Sequence, residues 1–189
     1  MKRIILLMLL LITSSCSNQN PHVVMKTPLG DIAFEIYQQE APVTATNFLA
    51  YVDKGLFKGA HFYRVVTQKN QLNDSIRIEV IQGGLGWSEN DQRLPAIPHE
   101  TTATTGILHS DGVISMARDK PGSADSEFFI CVGAQPALDF GGMRNPDGQG
   151  FAAFGRVIEG MAVVRKIQQQ PEDGQMLIEK LDITSISRK

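Results

Sequence analysis

Cysteine is scarce in this chain, which has only two among its 189 residues, and basic charge is not in excess. A disulfide framework requires several paired cysteines, so Cys16 and Cys131 predict none. Eighteen Lys and Arg residues against 20 Asp and Glu residues give a formal net charge of −2. That balance does not favour a surface for nucleic acid or anionic lipid. The four histidines lack metal-ligand spacing, so neither a metal nor another cofactor is predicted.

Residues 1–15 have the order of a bacterial signal peptide. Lys2 and Arg3 supply positive charge, residues 4–12 are uninterrupted apolar side chains, and small residues lead to Cys16. Nine apolar residues form about 14 Å of helix, which is about half of a bilayer's hydrocarbon core of roughly 30 Å. A permanent transmembrane helix is therefore not predicted.

The end of this leader resembles a bacterial lipoprotein signal, in which a cysteine after small residues is lipidated and becomes the mature N-terminus. The resemblance implies a lipid on Cys16, a tether over residues 16–22, and a membrane-anchored protein that faces the periplasm. Ser17 favours the outer membrane in the Gram-negative sorting pattern. Thr13 stands where the pattern usually has an aliphatic residue. The alternative is therefore cleavage by the ordinary secretory peptidase, which would leave a soluble periplasmic protein.

Residues 23–189 read as one mainly β domain, since 42% of the chain is hydrophobic and 20% is charged. Helical spacing of apolar residues predicts helices over 43–54 and 161–168. Eight short apolar segments, separated by stretches rich in Gly, Pro, Asn and Asp, predict strands and favour a barrel or sandwich. These strands cover 23–25, 32–36, 62–66, 79–82, 113–116, 128–132, 152–158 and 177–186.

Five segments of this domain form a specific pattern. They are Phe62-Tyr63-Arg64-Val65-Val66, Ile81-Gln82-Gly83-Gly84, Ile114-Ser115-Met116-Ala117-Arg118, Ser126-Glu127-Phe128-Phe129-Ile130 and Phe154-Gly155-Arg156-Val157. Their order and approximate spacing resemble those of cyclophilins. The resemblance implies a closed eight-stranded antiparallel barrel capped by two α-helices, which agrees with the independent count of elements. It also implies peptidyl-prolyl cis/trans isomerase activity without a cofactor.

Carried over residue by residue, the resemblance implies catalytic roles for three residues. Arg64 matches the catalytic arginine, Gln82 the active-site glutamine, and Phe129 the aromatic residue of the proline pocket. The implied substrate-binding positions are Val80, Ala117, Arg118, Glu127, Leu138 and Phe151.

Several positions depart from the family pattern. Glu127 replaces a glutamine, Arg118 an asparagine, and Phe151 a histidine, while Ala137 replaces a frequent tryptophan. Weak cyclosporin sensitivity is therefore expected. Glu79 replaces a methionine, and a carboxylate there would either turn outward or oppose burial of a proline ring. Residues 67–76 form an insertion between Arg64 and Gln82.

These residue types suit the chemistry of prolyl isomerisation. Rotation about an X-Pro bond breaks amide resonance but changes no covalent bond, so the catalyst must bind the twisted amide more tightly than either planar isomer. A guanidinium at Arg64 can donate a hydrogen bond to the prolyl nitrogen without deprotonating. Phe129 would hold the ring in an apolar pocket. Alternation along a strand places Phe128 and Phe129 on opposite faces, one in the core and one in the pocket.

The predicted partners are proline-containing polypeptides outside the cytoplasm, and the expected state is a monomer. The alternative is a membrane-anchored proline-peptide binding module or chaperone whose turnover is weakened by Glu79 and the insertion. An anchored structural lipoprotein has no positive support in the sequence. Ser115, Ser126 and Asp111 include the residue types of a hydrolase triad, but neither serine lies in a nucleophile-elbow pattern.

Overall fold

A computed structural model describes residues 19–88 and 90–189. The predicted signal peptide, the lipidation site Cys16 and Ser17 lie outside the described residues. Within the described part of the chain, no helix is both long and apolar enough to cross a bilayer. The strands are β1 (His22–Thr27), β2 (Gly30–Ile36), β3 (His61–Val66), β4 (Val80–Gly84), β5 (Val113–Met116), β6 (Phe128–Cys131), β7 (Ala152–Glu159), β8 (Glu172–Asp173), β9 (Met176–Asp182) and β10 (Ser185–Arg188).

Three α-helices accompany these strands. They are α1 (Pro42–Asp53), α2 (Thr102–Thr105) and α3 (Met161–Gln168), and a 3₁₀ turn covers Pro136–Leu138. The predicted helices agree with α1 and α3 to within one residue at each end. Helix α2 was not predicted, because four residues are too few to show a helical period. Val164 and Ile167 of α3 are fully buried, as the predicted apolar face requires.

All the strand pairs are antiparallel, in the order β10-β1-β2-β7-β5-β6-β4-β3-β9-β8. The structure corrects the expected count of eight strands, because the segment predicted over 177–186 is divided into β9 and β10 and the short β8 precedes it. The division lies at Ile183 and Thr184, whose backbone N–H groups donate to the carbonyls of Ala60 and Lys26.

The predicted closure of the barrel is not confirmed. The pairing order ends at β10 on one side and β8 on the other, and no hydrogen-bonded pairing among the described strands joins these ends. The chain itself connects the two margins of the sheet, since β9 pairs with β3 and continues after two residues into β10, which pairs with β1. The fold is therefore mainly β with few helices, and its sheet is open in hydrogen-bonding terms.

The main core is aromatic. Phe48 of α1 lies 5.1 Å from Phe154 and 5.9 Å from Phe128 between ring centroids, and the second pair is edge-on. Phe62 of β3 also meets Phe128 edge-on, an arrangement that aromatic rings favour. Helix α1 packs against β7 and β10, and α3 packs against β2, β3 and β4. These contacts fix the strands that position the site described below.

Helix α1 receives its N-terminal cap from a distant residue. Its own N-cap residue, Ala41, provides no side-chain hydrogen bond. The carboxylate of Glu100 instead accepts from the backbone N–H groups of Val43 at 3.1 Å and Thr44 at 2.7 Å, and from the Thr44 hydroxyl at 2.7 Å. Two of the unpaired donors of the first turn are satisfied in this way.

Removing this cap is expected to destabilise the fold. We expect Glu100→Ala to lower the free energy of unfolding by about 1 kcal/mol, which is typical for loss of an N-cap. Urea denaturation of the variant and of Glu100→Gln, which keeps an acceptor oxygen, measures the effect. Equal midpoints for the alanine variant and the wild type would contradict the assignment.

Candidate active site

A cavity of about 480 Å³ opens on the outer side of β3, β4 and β6, and we call it the site cavity. All nine predicted site residues line it, although they come from six separate stretches of sequence. They are Arg64, Val80, Gln82, Ala117, Arg118, Glu127, Phe129, Leu138 and Phe151. The structure therefore brings the predicted residues together, and their individual roles remain predictions.

A β-bulge in β3 directs two neighbouring side chains to the site. Phe62 pairs with Gly83 and Arg64 with Gln82, so two residues of β3 oppose one residue of β4. Phe62 and Val65 are both buried in the main core. Tyr63 and Arg64, between them, both form hydrogen bonds with Gln82. Alternation counted back from Arg64 would place Tyr63 in the core, and the sequence analysis did not include it among the site residues.

The Arg64 guanidinium is held by two glutamines. Its Nη1 donates to Oε1 of Gln82 at 2.8 Å, while Nε and Nη2 donate to Oε1 of Gln175 at 3.0 and 2.6 Å. A guanidinium has five N–H groups, so one on Nη1 and one on Nη2 have no partner among the described residues. Burial lowers the pKa of Arg64, and the nearby charge of Arg144 lowers it further. The group stays charged at neutral pH, because arginine is not deprotonated in proteins.

Gln82 begins a hydrogen-bonded chain that ends at a carboxylate. Its Nε2 donates to the Tyr63 hydroxyl at 2.9 Å, and this hydroxyl donates to Oε2 of Glu127 at 2.6 Å. Oε1 of Glu127 accepts from the backbone N–H of Gly86 at 3.0 Å and from the Ser126 hydroxyl at 3.0 Å. Burial, and then the charge of Glu127, raise the pKa of Tyr63, so the phenol remains a donor. Glu127 thus anchors the chain that orients Gln82.

Gly84 makes space for this carboxylate. Its backbone φ is +146°, and a Cβ at this position would lie 2.7 Å from the Glu127 carboxyl group. A larger residue would displace Glu127 from Tyr63. Gly84 therefore serves the site through its close packing against Glu127.

The acidity of Glu127 leads to a pH-dependent prediction. Burial raises the pKa of its carboxyl group above the ordinary value, and the hydrogen bond from Tyr63 opposes that rise. A carboxyl group whose pKa is higher in the folded state stabilises the fold below the unfolded-state pKa, and this contribution is lost as pH rises through the folded-state pKa. We therefore expect Glu127→Gln to gain stability relative to the wild type as pH rises from about 4 to about 8. Urea midpoints across this range test it, and a difference that stays constant with pH would contradict it.

The floor of the cavity is apolar. Phe129, Val80 and Leu138 are almost fully buried and pack with Val66, Ile78 and Cys131, while Ala117 and Phe151 lie partly exposed against them. We call these eight residues the apolar floor. Phe129 meets Phe151 edge-on at 5.3 Å between ring centroids. Phe128 lies in the main core, so the predicted division of the Phe128–Phe129 pair is confirmed.

Glu79 does not disturb the apolar floor. Ile78, Val80 and Gln82 line the cavity, and alternation along the strand turns Glu79, between the first two, away from it. Its side chain is partly exposed, so the carboxylate does not oppose binding of an apolar ring in the cavity. The pocket keeps its apolar character.

A buried histidine supports Phe129 from behind. The His109 ring stacks on Phe129 with 5.9 Å between centroids and an interplanar angle of 17°. Its Nδ1 lies 2.7 Å from Oδ1 of Asp139, and its Nε2 lies 3.0 Å from the Ser115 hydroxyl. Burial lowers the pKa of His109. His109 thus has a structural role, and this Ser-His-Asp set offers no hydrolase site because the Ser115 hydroxyl is completely buried.

Arg118 shapes the cavity wall. Its guanidinium donates to both carboxylate oxygens of Asp147 at 2.8 and 2.9 Å and to the Gly150 carbonyl at 2.9 and 2.6 Å. The group lies 5.1 Å from the centre of the Phe151 ring. The hydrogen bonds from Arg118 lower the pKa of Asp147 to about 2. Arg118 therefore fixes the loop over residues 139–150, which borders the cavity.

The 67–76 insertion forms another wall. Arg144 donates to the Ile76 carbonyl at 2.7 Å and pairs with Asp74 at 2.9 Å, so the insertion is joined to the 139–150 loop. Asp74, Arg144 and Asn145 line the cavity. The insertion thus borders the cavity and leaves it open.

Arg93 and Trp87 also line the cavity, and the sequence analysis predicted neither of them. Arg93 donates to Oδ1 of Asp125 at 2.7 Å, to the Ser126 hydroxyl at 2.8 Å and to the Gly86 carbonyl. Trp87, 65% exposed, meets Tyr63 edge-on at 5.8 Å. The single tryptophan of the chain near Gln82-Gly83-Gly84 was the available signal for a site residue. No group of three or more potential metal ligands occurs within residues 19–88 and 90–189.

Comparison with known proteins points to one family. A profile described as "Cyclophilin type peptidyl-prolyl cis-trans isomerase/CLD" matches residues 22–188. A "Peptidyl-prolyl cis-trans isomerase" of Acinetobacter baylyi is 34% identical over 172 residues, which is 90% of this chain and 84% of that protein. "Peptidyl-prolyl cis-trans isomerase B" of Escherichia coli is 33% identical over 147 residues, with 77% and 83% covered.

The fold resembles solved structures of the same kind. A cyclophilin-type peptidyl-prolyl cis-trans isomerase of Cryptosporidium parvum superposes with a TM-score of 0.67 at 22% sequence identity, covering 90% of this chain and 98% of that chain. A second structure of that protein, in the presence of the dipeptide Ala-Pro, gives a TM-score of 0.66, also at 22% identity.

Proposed function

This chain belongs to the cyclophilin-type peptidyl-prolyl cis-trans isomerases, and on that premise we propose that it isomerises X-Pro bonds of exported or envelope proteins and assists their folding, with Arg64 as the catalytic donor. One observation carries this assignment of the site. Two N–H groups of Arg64 have no partner in the described part of the chain, and they lie at a cavity whose apolar floor is centred on Phe129.

The reaction requires stabilisation of charge without covalent chemistry. The uncatalysed rotation has a barrier of roughly 18–20 kcal/mol and takes tens to hundreds of seconds. As the C–N bond twists, resonance is lost and the prolyl nitrogen regains a lone pair. A fixed donor aimed at that lone pair interacts with the twisted amide more strongly than with either planar isomer. Arg64 provides such a donor.

The apolar floor holds the proline ring. Phe129, Val80 and Leu138 belong to its buried part, and Ala117 and Phe151 are its partly exposed members. A ring buried there stays fixed while the residue before proline rotates. The nonpolar surroundings also strengthen the hydrogen bond from Arg64, because the local dielectric is low.

Gln82 orients Arg64 within this arrangement. Its Oε1 accepts from Nη1 of Arg64, and its own position is set by Tyr63 and Glu127. Both its oxygen and its nitrogen are engaged in this network, so the role that we propose for Gln82 is to orient the guanidinium. Arg118 and Glu127, proposed as substrate-binding residues, contribute by holding the wall and the hydrogen-bonded chain in place.

The alternative of a weak proline-peptide binding module has less support. It rested on Glu79 and on the 67–76 insertion. Glu79 points away from the apolar floor, and the insertion borders the cavity without filling it. The geometry of Arg64, Gln82 and Phe129 favours turnover.

The cellular location is a separate proposal, supported by the sequence of the leader. A lipid on Cys16 would anchor the protein to a membrane facing the periplasm, where slow prolyl steps limit folding. Mass spectrometry of the mature N-terminus, together with membrane fractionation, tests it. We expect a lipidated Cys16 and a membrane-bound protein, and we expect Cys16→Ala to appear in the soluble fraction. A mature N-terminus elsewhere, with the wild type soluble, would support ordinary secretion.

Assistance in folding can be measured directly. We expect the protein to accelerate the slow, proline-limited refolding phase of an exported protein at substoichiometric concentration. A slow phase whose rate is unchanged by the enzyme, under conditions where short peptides are isomerised, would restrict the activity to accessible peptide segments.

A further inference from the structure

We propose that Gln175 is a positioning residue for Arg64, and that Asn70 of the 67–76 insertion holds Gln175 in place. The inference rests on the proposed role of Arg64 as the catalytic donor. Gln175 lies 111 residues from Arg64 in the sequence, and no motif of the chain drew attention to it. Its local conformation and its contacts both point to a functional role.

The backbone at Gln175 is unfavourable for a residue with a side chain. Asp173 pairs with Met176, so Gly174 and Gln175 form the two-residue turn between β8 and β9. Their φ angles are +55° and +77°, the combination of a type I′ turn. Glycine is the favoured residue in such a position, and a left-handed conformation costs other residues roughly 1–2 kcal/mol. Within the described part of the chain, Gln175 is the only non-glycine residue with a positive φ.

The contacts of the Gln175 side chain explain why a glutamine occupies the turn. Its Oε1 accepts from both Nε and Nη2 of Arg64 at 3.0 and 2.6 Å. Because Gln82 binds Nη1, the guanidinium is fixed by one glutamine on each side. A planar group held at three nitrogens cannot rotate about its own axis. Its two remaining N–H groups therefore keep one direction.

Gln175 is itself held at three further points. Its Nε2 donates to the Asn70 carbonyl at 3.1 Å, and its backbone N–H donates to the Glu172 carboxylate at 2.7 Å. Its backbone carbonyl accepts from the N–H of Val65, next to Arg64. The turn is thus bound to β3 at the point where the bulge presents Arg64.

The 67–76 insertion takes part through Asn70. The Asn70 side chain accepts from the backbone N–H of Thr67 at 2.9 Å and donates to the Val65 carbonyl at 3.0 Å. These bonds fold the insertion back against β3 and direct the Asn70 carbonyl towards Gln175. The insertion therefore supports the orientation of Arg64.

A glycine variant separates this role from a structural one. Gln175→Gly removes the side chain but suits the left-handed turn, so we expect equal or higher thermal stability. Without the second glutamine, the guanidinium gains freedom, and we expect kcat/KM for a proline peptide to fall about tenfold, while the peptide Kd is unchanged. Gln175→Glu retains acceptor oxygens for Arg64 but loses the donor to the Asn70 carbonyl, so we expect it to restore only part of the turnover.

The readouts are exchange NMR of an Ala-Pro peptide, a peptide titration, and the Nε–H resonance of Arg64. In Gln175→Gly this resonance should shift and exchange faster with water, which a merely structural role would not cause. Lys180→Ala, at an exposed position of β9, is the matched control and should match the wild type. Wild-type turnover in Gln175→Gly with an unmoved Arg64 resonance would overturn this proposal. An inactive wild type would instead overturn the proposed function.

Discussion

Arg64→Ala is expected to lower kcat/KM for a proline-containing peptide by about 100- to 1000-fold, while the peptide Kd stays within about twofold of the wild-type value. The hydrogen bond from the guanidinium forms mainly with the twisted amide, so its loss affects the transition state and leaves ground-state binding intact. Arg64→Lys should remain nearly as slow, because a single ammonium nitrogen cannot reproduce the planar contact that Nε, Nη1 and Nη2 of Arg64 make with Gln82 and Gln175.

Exchange NMR measures turnover in this experiment and a titration measures binding. Arg156→Ala is the matched control, because the Arg156 side chain is 57% exposed and pairs with Glu35 outside the cavity. Loss of peptide affinity in parallel with turnover would show that Arg64 contributes ordinary binding, and would contradict the assignment of a catalytic donor.

Phe129→Ala is expected to weaken peptide binding by at least about tenfold and to lower turnover with it, because the ring forms the centre of the apolar floor. The same substitution should lower the free energy of unfolding by about 3–5 kcal/mol, since Phe129 is buried and packs against Phe151 and His109. Both effects follow from one lost side chain, so binding must be measured on protein shown to be folded.

Phe129→Leu separates the two effects. Leucine keeps much of the buried volume, and we expect a smaller loss of stability but a clear loss of peptide affinity, because the flat aromatic surface for the proline ring is absent. Phe140→Ala is the control, since Phe140 is 50% exposed and does not line the site cavity. Wild-type affinity in a folded Phe129→Leu variant would show that the proline ring binds elsewhere.

Much of the fold could be predicted because the local patterns are strong. Short apolar segments bounded by turn-forming residues located seven of the predicted strands within a few residues of their observed positions, and apolar spacing at 3.6 residues located α1 and α3. The last predicted strand failed at Ile183 and Thr184, because the division into β9 and β10 depends on hydrogen bonds to Ala60 and Lys26. Such distant partners leave no local signal. Closure of the sheet could not be predicted either, because it depends on which strands pair at the two ends, and the sequence of a single strand does not specify its partner.

The composition of the site could be predicted, but the way it is held could not. The resemblance to cyclophilins identified nine site residues, and all nine line one cavity in the structure. Tyr63 was missed because the bulge at β3 reverses the alternation expected there. Gln175 was missed because its contact with Arg64 spans 111 residues. The cap of α1 by Glu100 was missed for the same reason, since Val43 lies 57 residues away. Residues proposed to contact substrate lie in recognisable sequence motifs, whereas the residues that hold them in position are brought there by tertiary packing.

The substitution of glutamate at position 127 has a physical consequence within this network. Its carboxylate accepts from Tyr63, Ser126 and the backbone of Gly86. An acceptor-only group at this point fixes the direction of the Tyr63 hydroxyl, which must donate to it and accept from Gln82. The oxygen of the Gln82 side chain is then left to face Arg64. The departure at 127 therefore supports the orientation of the catalytic donor.

The most direct test of the central claim is exchange NMR of a short Ala-Pro peptide with the purified protein and with its Arg64→Ala variant at matched concentration. Our account predicts that the wild type accelerates exchange between the cis and trans resonances, and that the variant shifts the same peptide resonances while losing most of the acceleration. A wild type that shifts the resonances without accelerating their exchange would contradict it, and would identify the site as one that binds proline peptides without turning them over.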